Sequence, residues 1–334
     1  MNPLASSLIV NPVIAPAITV ILPVYNGGNY IIYSVESVLN QSYNNYEFLI
    51  LDDCSTDDSW NYLDSINNEN ITLYRNEKNK GLFYNLNFLI KKSRSKLIKL
   101  WAQDDIMYPQ CLERFVHFFE QYPQVGFAYS GIHNIDEAGN IKQHDYTDNT
   151  QQILSTELHA RIAYFTGSIA GNIANVCINR LALDAVGLFN EKMKISADFD
   201  MWVRLARNHD TGFIAETLVQ LRDHSGQLSR KESLYIHHVR EDLQVYGYLN
   251  SYVSKALRVE GKIIMRNNKL VFYYTLMVKS LLKADIKTTA AYAKQLFAID
   301  NFFLLTVAFV KAKLLKRRKP AFPVQFVHPI SENE

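Results

Sequence analysis

From Ile18 to Ser130 the chain alternates short apolar runs with stretches of helical periodicity. That alternation is the mark of βαβ units around a largely parallel sheet. It predicts strands over 18–24, 48–51, 71–74, 98–101 and 125–129, and helices over 30–39, 59–66 and 82–92. Each strand feeds a polar loop at its carboxyl end, where open α/β sheets form their ligand crevices. The Asn- and Asp-rich stretch from His133 to Gln152 reads as a long excursion of the same unit. Beyond it the pattern predicts a strand over 174–178, a helix over 180–186 stopped by Gly187, and a helix over 198–207. From about Ser233 helical periodicity takes over, up to the apolar run Phe302–Val310 and the basic stretch Lys311–Lys319. The expected division is a leader (1–17), an α/β unit (18–232) and a helical C-terminal region with a basic tail (233–334).

Composition narrows the classes. With 334 residues, 48% of them hydrophobic and 12% aromatic, the chain can bury a full core and is neither disordered nor fibrous. A net charge of +2, with basic residues spread out except near the end, gives no general footprint for nucleic acid, and no such partner is expected. Cys54, Cys111 and Cys177 show no Cys-x-x-Cys spacing, which suits a reducing, cytoplasmic setting. Residues 1–17 hold no Lys or Arg, and Pro3, Pro12 and Pro16 break their apolar stretches; they read as a loose leader without the basic start of a secretory signal. No window of 18 uncharged apolar residues is found, so no membrane span is expected.

The candidate chemistry sits in the loops. Leu100-Trp-Ala-Gln-Asp104-Asp105-Ile-Met-Tyr-Pro109 is an apolar strand running into two carboxylates, a way to hold Mn²⁺ or Mg²⁺ against a diphosphate. Aspartate is also common in turns and at helix starts, so the pair alone is weakly specific. In Pro23-Val24-Tyr25-Asn26-Gly27-Gly28 the proline fixes the strand exit, Tyr25 offers a flat ring to a base, and the glycines let backbone amides approach a ligand. In Asp52-Asp53-Cys54-Ser55-Thr56-Asp57 a carboxylate can accept from a base N–H or a ribose hydroxyl, while Ser55 and Thr56 can instead cap the next helix. Asn79-Lys80-Gly81 lies in a third polar loop, by itself an ordinary turn. A Gly-x-Gly-x-x-Gly fingerprint is missing, which argues against a nicotinamide or flavin enzyme.

Taken in order, Pro-Val-Tyr-Asn (23–26), Asp-Asp-x-Ser-x-Asp (52–57), Asn-x-Gly (79–81) and Asp-Asp-x-x-x-Pro (104–109) resemble the family 2 glycosyltransferases of GT-A fold. The resemblance covers roughly residues 18–229. It implies a GT-A type nucleotide-binding sheet sandwiched by helices, with a helical C-terminal region. It further implies that Pro23, Tyr25, Asn26, Asp53, Ser55, Asn79, Gly81 and Asp104 line the site of a nucleotide-diphosphate sugar donor. Tyr25 and Asp53 would meet the base and ribose, and Asp104 with Asp105 would form the DXD-type metal site, Ala102 standing where the family has its first Asp. Ser196-Ala-Asp-Phe-Asp-Met-Trp202 is similar to the family's Glu-Asp-x-Asp segment, with Ala197 in place of Glu and Asp198 in the position of the catalytic base. Asp200 is the second choice, and Asp198 could equally be a helix cap. Arg222-x-His224 is similar to the family's Arg-x-His strand end, which makes His224 a metal or diphosphate ligand. The Gln-x-x-Arg-Trp motif of processive synthases is missing. The activity implied is inverting transfer of one sugar, by family habit from a UDP-linked donor, to a hydroxyl of a saccharide or lipid-linked acceptor in surface polysaccharide biosynthesis.

Two other readings compete. A nucleotidyltransferase would want a basic, Gly-rich first turn for a triphosphate, and Tyr25–Tyr30 holds no basic residue. A catalytically weak nucleotide-sugar binding protein would account for Ala102 and Ala197. At the other end, six basic residues between Lys311 and Lys319 follow an apolar helix. That arrangement suits peripheral contact of 302–319 with the inner face of a cell membrane, or a core helix with a solvated tail. The aromatic helical third is also a candidate homodimer interface.

Overall fold

A computed structural model describes residues 15–142, 150–227 and 234–314. Its first half runs β1 (Ile18–Val24), α1 (Tyr30–Leu39), β2 (Tyr46–Asp52), α2 (Ser59–Asp64), β3 (Ile71–Arg75), α3 (Leu82–Lys92), β4 (Leu97–Leu100), β5 (Ile106–Met107), α4 (Cys111–Gln121) and β6 (Val125–Ile135). It continues with β7 (Ile153–Leu154), α5 (Thr156–Thr166), β8 (Val176–Asn179), α6 (Arg180–Val186), α7 (Ala197–Ala206) and β9 (Asp210–Arg222). The remainder is helical: α8 (Tyr235–Leu249), α9 (Lys255–Met265), a π-helical turn (Arg266–Leu270), α10 (Val271–Leu282), α11 (Ile286–Phe297) and α12 (Phe302–Leu314).

The strands form one sheet in the order β3-β2-β1-β4-β8-β6-β9-β5, with β7 paired to β9. β1 and β2 are buried on both faces, the signature of parallel strands covered by helices on each side. Val20, Leu22, Phe48 and Ile50 meet α1 and α4 on one face, while Ile21, Leu49 and Leu51 meet α3 on the other. The second face extends to α5, α6, α7 and α8, where Trp202 stacks on Phe127 with ring centroids 5.1 Å apart. A smaller apolar cluster joins α8, α10, α11 and α12.

The sheet is more mixed than the alternation predicts. β8 runs antiparallel to both β4 and β6, and β5 and β7 run antiparallel to β9. Because two antiparallel steps restore direction, β6 runs with β4, and β9 is parallel to β6. The carboxyl ends of β1, β2, β3, β4, β6 and β9 therefore reach the same edge. The strand order also reverses beside β1, with β2 on one flank and β4 on the other, so the crevice expected at such a switch point opens where these two ends part. The excursion predicted from His133 starts later, since β6 continues to Ile135 by pairing with the unpredicted β9. The helix predicted over 59–66 stops at Asp64. Lys99, inside β4, is fully buried with Nζ donating to the carbonyls of Leu100 and Ala174, and burial holds its pKa below the ordinary value.

Trp202→Ala removes a fully buried ring from the junction of β6 and α7. It should cost about 3–5 kcal/mol in urea unfolding, as large-to-small core changes do; a midpoint within error of the parent would show that this face is not under packing constraint.

Candidate active site

The loop after β1 is built by side chains from the loop after β2. Asn26 adopts φ 50° and Gly28 φ 56°, a left-handed bend that glycine tolerates and Asn accepts better than most residues. Three successive amides are then satisfied: Asn26 N–H donates to Ser55 Oγ (3.0 Å), Gly27 N–H to Ser59 Oγ (2.9 Å) and Gly28 N–H to Asp57 Oδ2 (2.9 Å). These amides are not offered to a ligand, contrary to the reading of the glycines from sequence. Asn26 Oδ1 in turn accepts the Thr56 N–H at 2.8 Å. Pro23 is buried in β1. Tyr25 stands exposed beyond it, its backbone clamped by Gln103, which accepts the Tyr25 N–H at 2.8 Å and donates to its carbonyl at 3.1 Å. That clamp ties the ends of β1 and β4 together across the crevice.

Asp53 has a different set of partners from those expected. Its Oδ1 accepts from Asn76 Nδ2 (2.8 Å) and Lys80 N–H (2.7 Å), and its Oδ2 from Gly81 N–H (2.9 Å). Buried and engaged on both oxygens, it shapes the 76–81 loop. Ser55 is likewise buried, holding Asn26. Asn79 is exposed at the loop tip, and Gly81 takes φ 88° at the start of α3. The loop is tied further by Asn76 donating to the buried Asn85 of α3 at 2.9 Å. Asn87, also buried, bonds Phe189 N–H, Phe189 O and Glu191 Oε1 on the approach to α7.

The two adjacent aspartates separate. Asp104 stays partly exposed, with Oδ2 accepting from His224 Nε2 at 2.9 Å. His224 Nδ1 accepts the Gly226 N–H at 3.2 Å, which places the ring proton on Nε2. Asp105 turns inward instead, its Oδ1 taking the Arg222 N–H at 2.8 Å. Burial and the neighbouring Asp104 push its carboxyl well above the ordinary range. The expectation that Asp105 is a metal ligand is therefore corrected: a buried, amide-bound carboxyl group stitches β9 to the end of β4. Arg222 completes the stitch through Asp104 O (3.0 Å), Asp136 O (3.1 Å) and Glu137 O (2.9 Å), with its guanidinium 4.7 Å from the centre of the Tyr30 ring. Tyr30 also packs against His224, ring centroids 5.0 Å apart.

Asp198 belongs to a second group, assembled by the C-terminal helices. Glu241 of α8 accepts three consecutive amides, Lys194, Ile195 and Ser196, at 2.9, 3.0 and 3.0 Å, fixing the approach to α7. Asp242 accepts Ser196 Oγ (2.7 Å) on one oxygen and Lys269 Nζ (2.7 Å) and Tyr273 OH (3.3 Å) on the other. Burial raises the Asp198 carboxyl to about 7; the Phe199 N–H and Lys269 oppose the rise and Asp242 adds to it. Asp200, the second choice for a base, is buried and held by Arg204 Nε at 2.8 Å. The same guanidinium bonds the carbonyls of Val186, Gly187 and Leu188, so the pair staples α7 to the end of α6.

Residues 19–177 match the family model described as Glycosyl transferase family 2. By that match, residues 19–177 form a family 2 glycosyltransferase domain. An uncharacterized glycosyltransferase of Rickettsia felis is 28% identical over 226 residues, covering 65% of this chain and 36% of that relative. One of Rickettsia prowazekii is 26% identical over 310 residues, covering 82% of this chain and 94% of its own. Among solved structures, S. aureus TarS 1–349 in complex with UDP-GlcNAc has a TM-score of 0.60 at 14% identity, covering 90% of this chain and 93% of that one. At that identity the likeness concerns the fold: a central sheet flanked by helices, with a helical C-terminal region.

The candidate site thus draws on residues that motif reading passed over. Gln103 lies inside the Asp-pair motif, and its amide had a signal in being the polar residue between Ala102 and Asp104. Tyr30, Glu241, Asp242 and Lys269 had none, because their partners lie far away in sequence.

Two outcomes follow from the geometry. Asp53→Asn replaces an acceptor by a donor opposite backbone N–H groups. It should destabilise the protein by ~1–3 kcal/mol, the cost of a buried group left unpaired, and speed amide exchange at Lys80 and Gly81; unchanged exchange would remove the clamp. Asp198 keeps its proton to about pH 7 in the folded protein against 3.8 ordinarily, so its contribution to stability is present below the lower value and lost as pH rises through the higher. Asp198→Asn should therefore melt above the parent at pH 8.5, by less at pH 5, and near it at pH 3.5.

Proposed function

We propose that this protein is an inverting, metal-dependent glycosyltransferase that moves one sugar from a UDP-linked donor to a hydroxyl of a saccharide or lipid-linked acceptor during surface polysaccharide assembly. The observation that carries this reading is the pairing of Asp104 with His224 at the shared carboxyl edge, beside the Gln103-clamped Tyr25. The likeness to TarS, whose structure was solved with UDP-GlcNAc, supports a UDP-sugar donor.

A divalent cation fits this pair. Asp104 and His224 are both partly exposed, and an ion entering between them would take a carboxylate oxygen and, once Nε2 gives up the proton it shares with Asp104 Oδ2, that imidazole nitrogen. Mg²⁺ and Mn²⁺ are commonly held by one or two protein ligands with substrate phosphates and water filling the rest. Bound there, such an ion would neutralise charge on the departing nucleotide diphosphate. Arg222 and Tyr30 keep the imidazole and the Asp104 backbone in place. Tyr25 offers its exposed ring to the base.

On the acceptor side, Asp198 takes the hydroxyl proton as the oxygen attacks the anomeric carbon. A base whose pKa lies near the working pH is both ionised and basic enough to do so. A single displacement inverts the anomeric configuration, so an α-linked donor gives a β-linked product.

A thermal-shift panel of nucleotide diphosphates and nucleotide sugars, with and without Mn²⁺, tests the donor side, since a ligand that binds only the native state raises the melting temperature. A Mn²⁺-dependent shift with UDP or a UDP-sugar is expected and should vanish in Asp104→Ala; no shift with any nucleotide would favour a different ligand. For the base, Asp198→Asn should lower turnover by about 10²–10⁴-fold with donor binding retained. The parent's activity should climb with pH along a limb centred near 7, because only the ionised carboxylate accepts a proton; a limb that stays in Asp198→Asn would reassign the base.

A further inference from the structure

The C-terminal helices present an apolar surface that no other part of the described chain covers. α12 turns Leu305 and Ala308 into the cluster shared with α10 and α11. Its outer side shows Phe303, Val307, Val310 and Leu314, spaced i, i+4, i+7 and i+11 and exposed by 74, 49, 43 and 77%. Residues at that spacing share one face of a helix. An aromatic cluster extends this face at its start: the Phe297 and Phe302 rings lie 5.1 Å apart and the Phe302 and Phe303 rings 5.6 Å apart. An uncovered stripe of this kind marks an interaction site.

Charge says what the stripe meets. From Asn301 to Ser331 the sequence holds Lys311, Lys313, Lys316, Arg317, Arg318 and Lys319, and no Asp or Glu. The nearest preceding acid, Asp300, is already paired to Arg266, with Nη2 at 2.7 Å from Oδ1. A second copy of the chain docked through this face would bring the same cations together. Ordinary protein interfaces are depleted in lysine at their centre. An apolar face flanked by cations of one sign matches a layer with a hydrocarbon interior and anionic headgroups.

Length decides how the helix meets that layer. α12 has 13 residues, about 20 Å at 1.5 Å per residue, against a hydrocarbon core of about 30 Å. No single described helix is long and apolar enough to cross, and α11 and α12 reach that length only as a pair bent by 109°. We infer that α12 docks the protein flat on an anionic phospholipid surface, with the Phe303–Leu314 stripe at the acyl boundary and Lys311 and Lys313 against lipid phosphates. This surface is separate from the residues assigned to donor and base.

The test is flotation of the full chain with vesicles of phosphatidylcholine alone or mixed with phosphatidylglycerol. The intact chain should float with the mixed vesicles and bind pure phosphatidylcholine about tenfold more weakly, each basic residue near such a surface adding substantially to binding. Phe303→Asp combined with Val307→Asp should lose binding to both, with the melting temperature kept because these side chains are exposed. Lys311→Gln with Lys313→Gln should lose only the preference for phosphatidylglycerol, and this pair also decides the matter if the aspartate variant does not fold. The inference fails if the intact chain does not float with mixed vesicles, or if both variants bind as the parent does. It fails equally if light scattering finds a dimer that Phe303→Asp dissolves, which would make the stripe a contact between copies. None of these readouts depends on donor or activity.

Discussion

Backbone amides leaving the carboxyl edge of a sheet lose their ladder partners, and any that are buried must find another acceptor. In this protein the acceptors are mostly carboxylates. Asp52 takes the Ser55 N–H, Asp53 takes Lys80 and Gly81, Asp57 takes Gly28 and Ser59, Asp105 takes Arg222, and Glu241 takes three amides before α7. Each of these bonds joins one loop to another or bends a loop upon itself. The position of every candidate ligand at the edge depends on them.

This dependence explains how two adjacent carboxylates divide their work. In Asp104-Asp105 the turn after β4 leaves one side chain at the crevice and sends the next into the interior. The inward one meets an amide of β9; the outward one remains for His224. Asp53 follows the same rule from the end of β2, bound on both oxygens by the loop it organises. Motif reading assigns all such residues to the ligand, because a carboxylate that builds a loop and one that binds through it look alike in sequence. Only the count of satisfied lone pairs separates them.

The parts legible in sequence are those set by local periodicity. β1 to β4 and α1 to α3 declare themselves by buried runs and helical spacing, and the ligand loops follow at their ends. β9 was hidden because its pairing with β6 is interrupted by register shifts, around Ser130 and Gly131 among them, which break the two-residue alternation. α4 keeps helical spacing in Cys111, Leu112, Phe115, Val116 and Phe119, and that signal was available. The supports of Asp198 were beyond reach for another reason: Glu241 and Asp242 reach the 194–196 segment across 45 to 47 residues, Lys269 reaches Asp242 across 27, and nothing in a helical, aromatic stretch announces which acid faces a loop. The helices after Ser233 are thus tied to the α/β part by the group around Asp198.

The two departures from the family pattern have a common physical basis. Ala197 is fully buried in the apolar cluster with Phe199 and Trp202. A glutamate there would bring a charge into a region where Asp198 and Asp242 already repel one another, and an unpaired buried charge is strongly unfavourable. Ala102 packs against the other apolar cluster while its carbonyl accepts the Ser34 hydroxyl at 2.8 Å. Asp104 is the partly exposed carboxylate of the Asp104-Asp105 pair, and Asp198 is that of α7's first turn. Asp198 carries a raised pKa because it is buried, and Lys269, which opposes the rise, is bonded to Asp242 instead. A carboxylate locked to a lysine would be a weak acceptor for an incoming proton, so this arrangement suits Asp198 to the base role proposed for it.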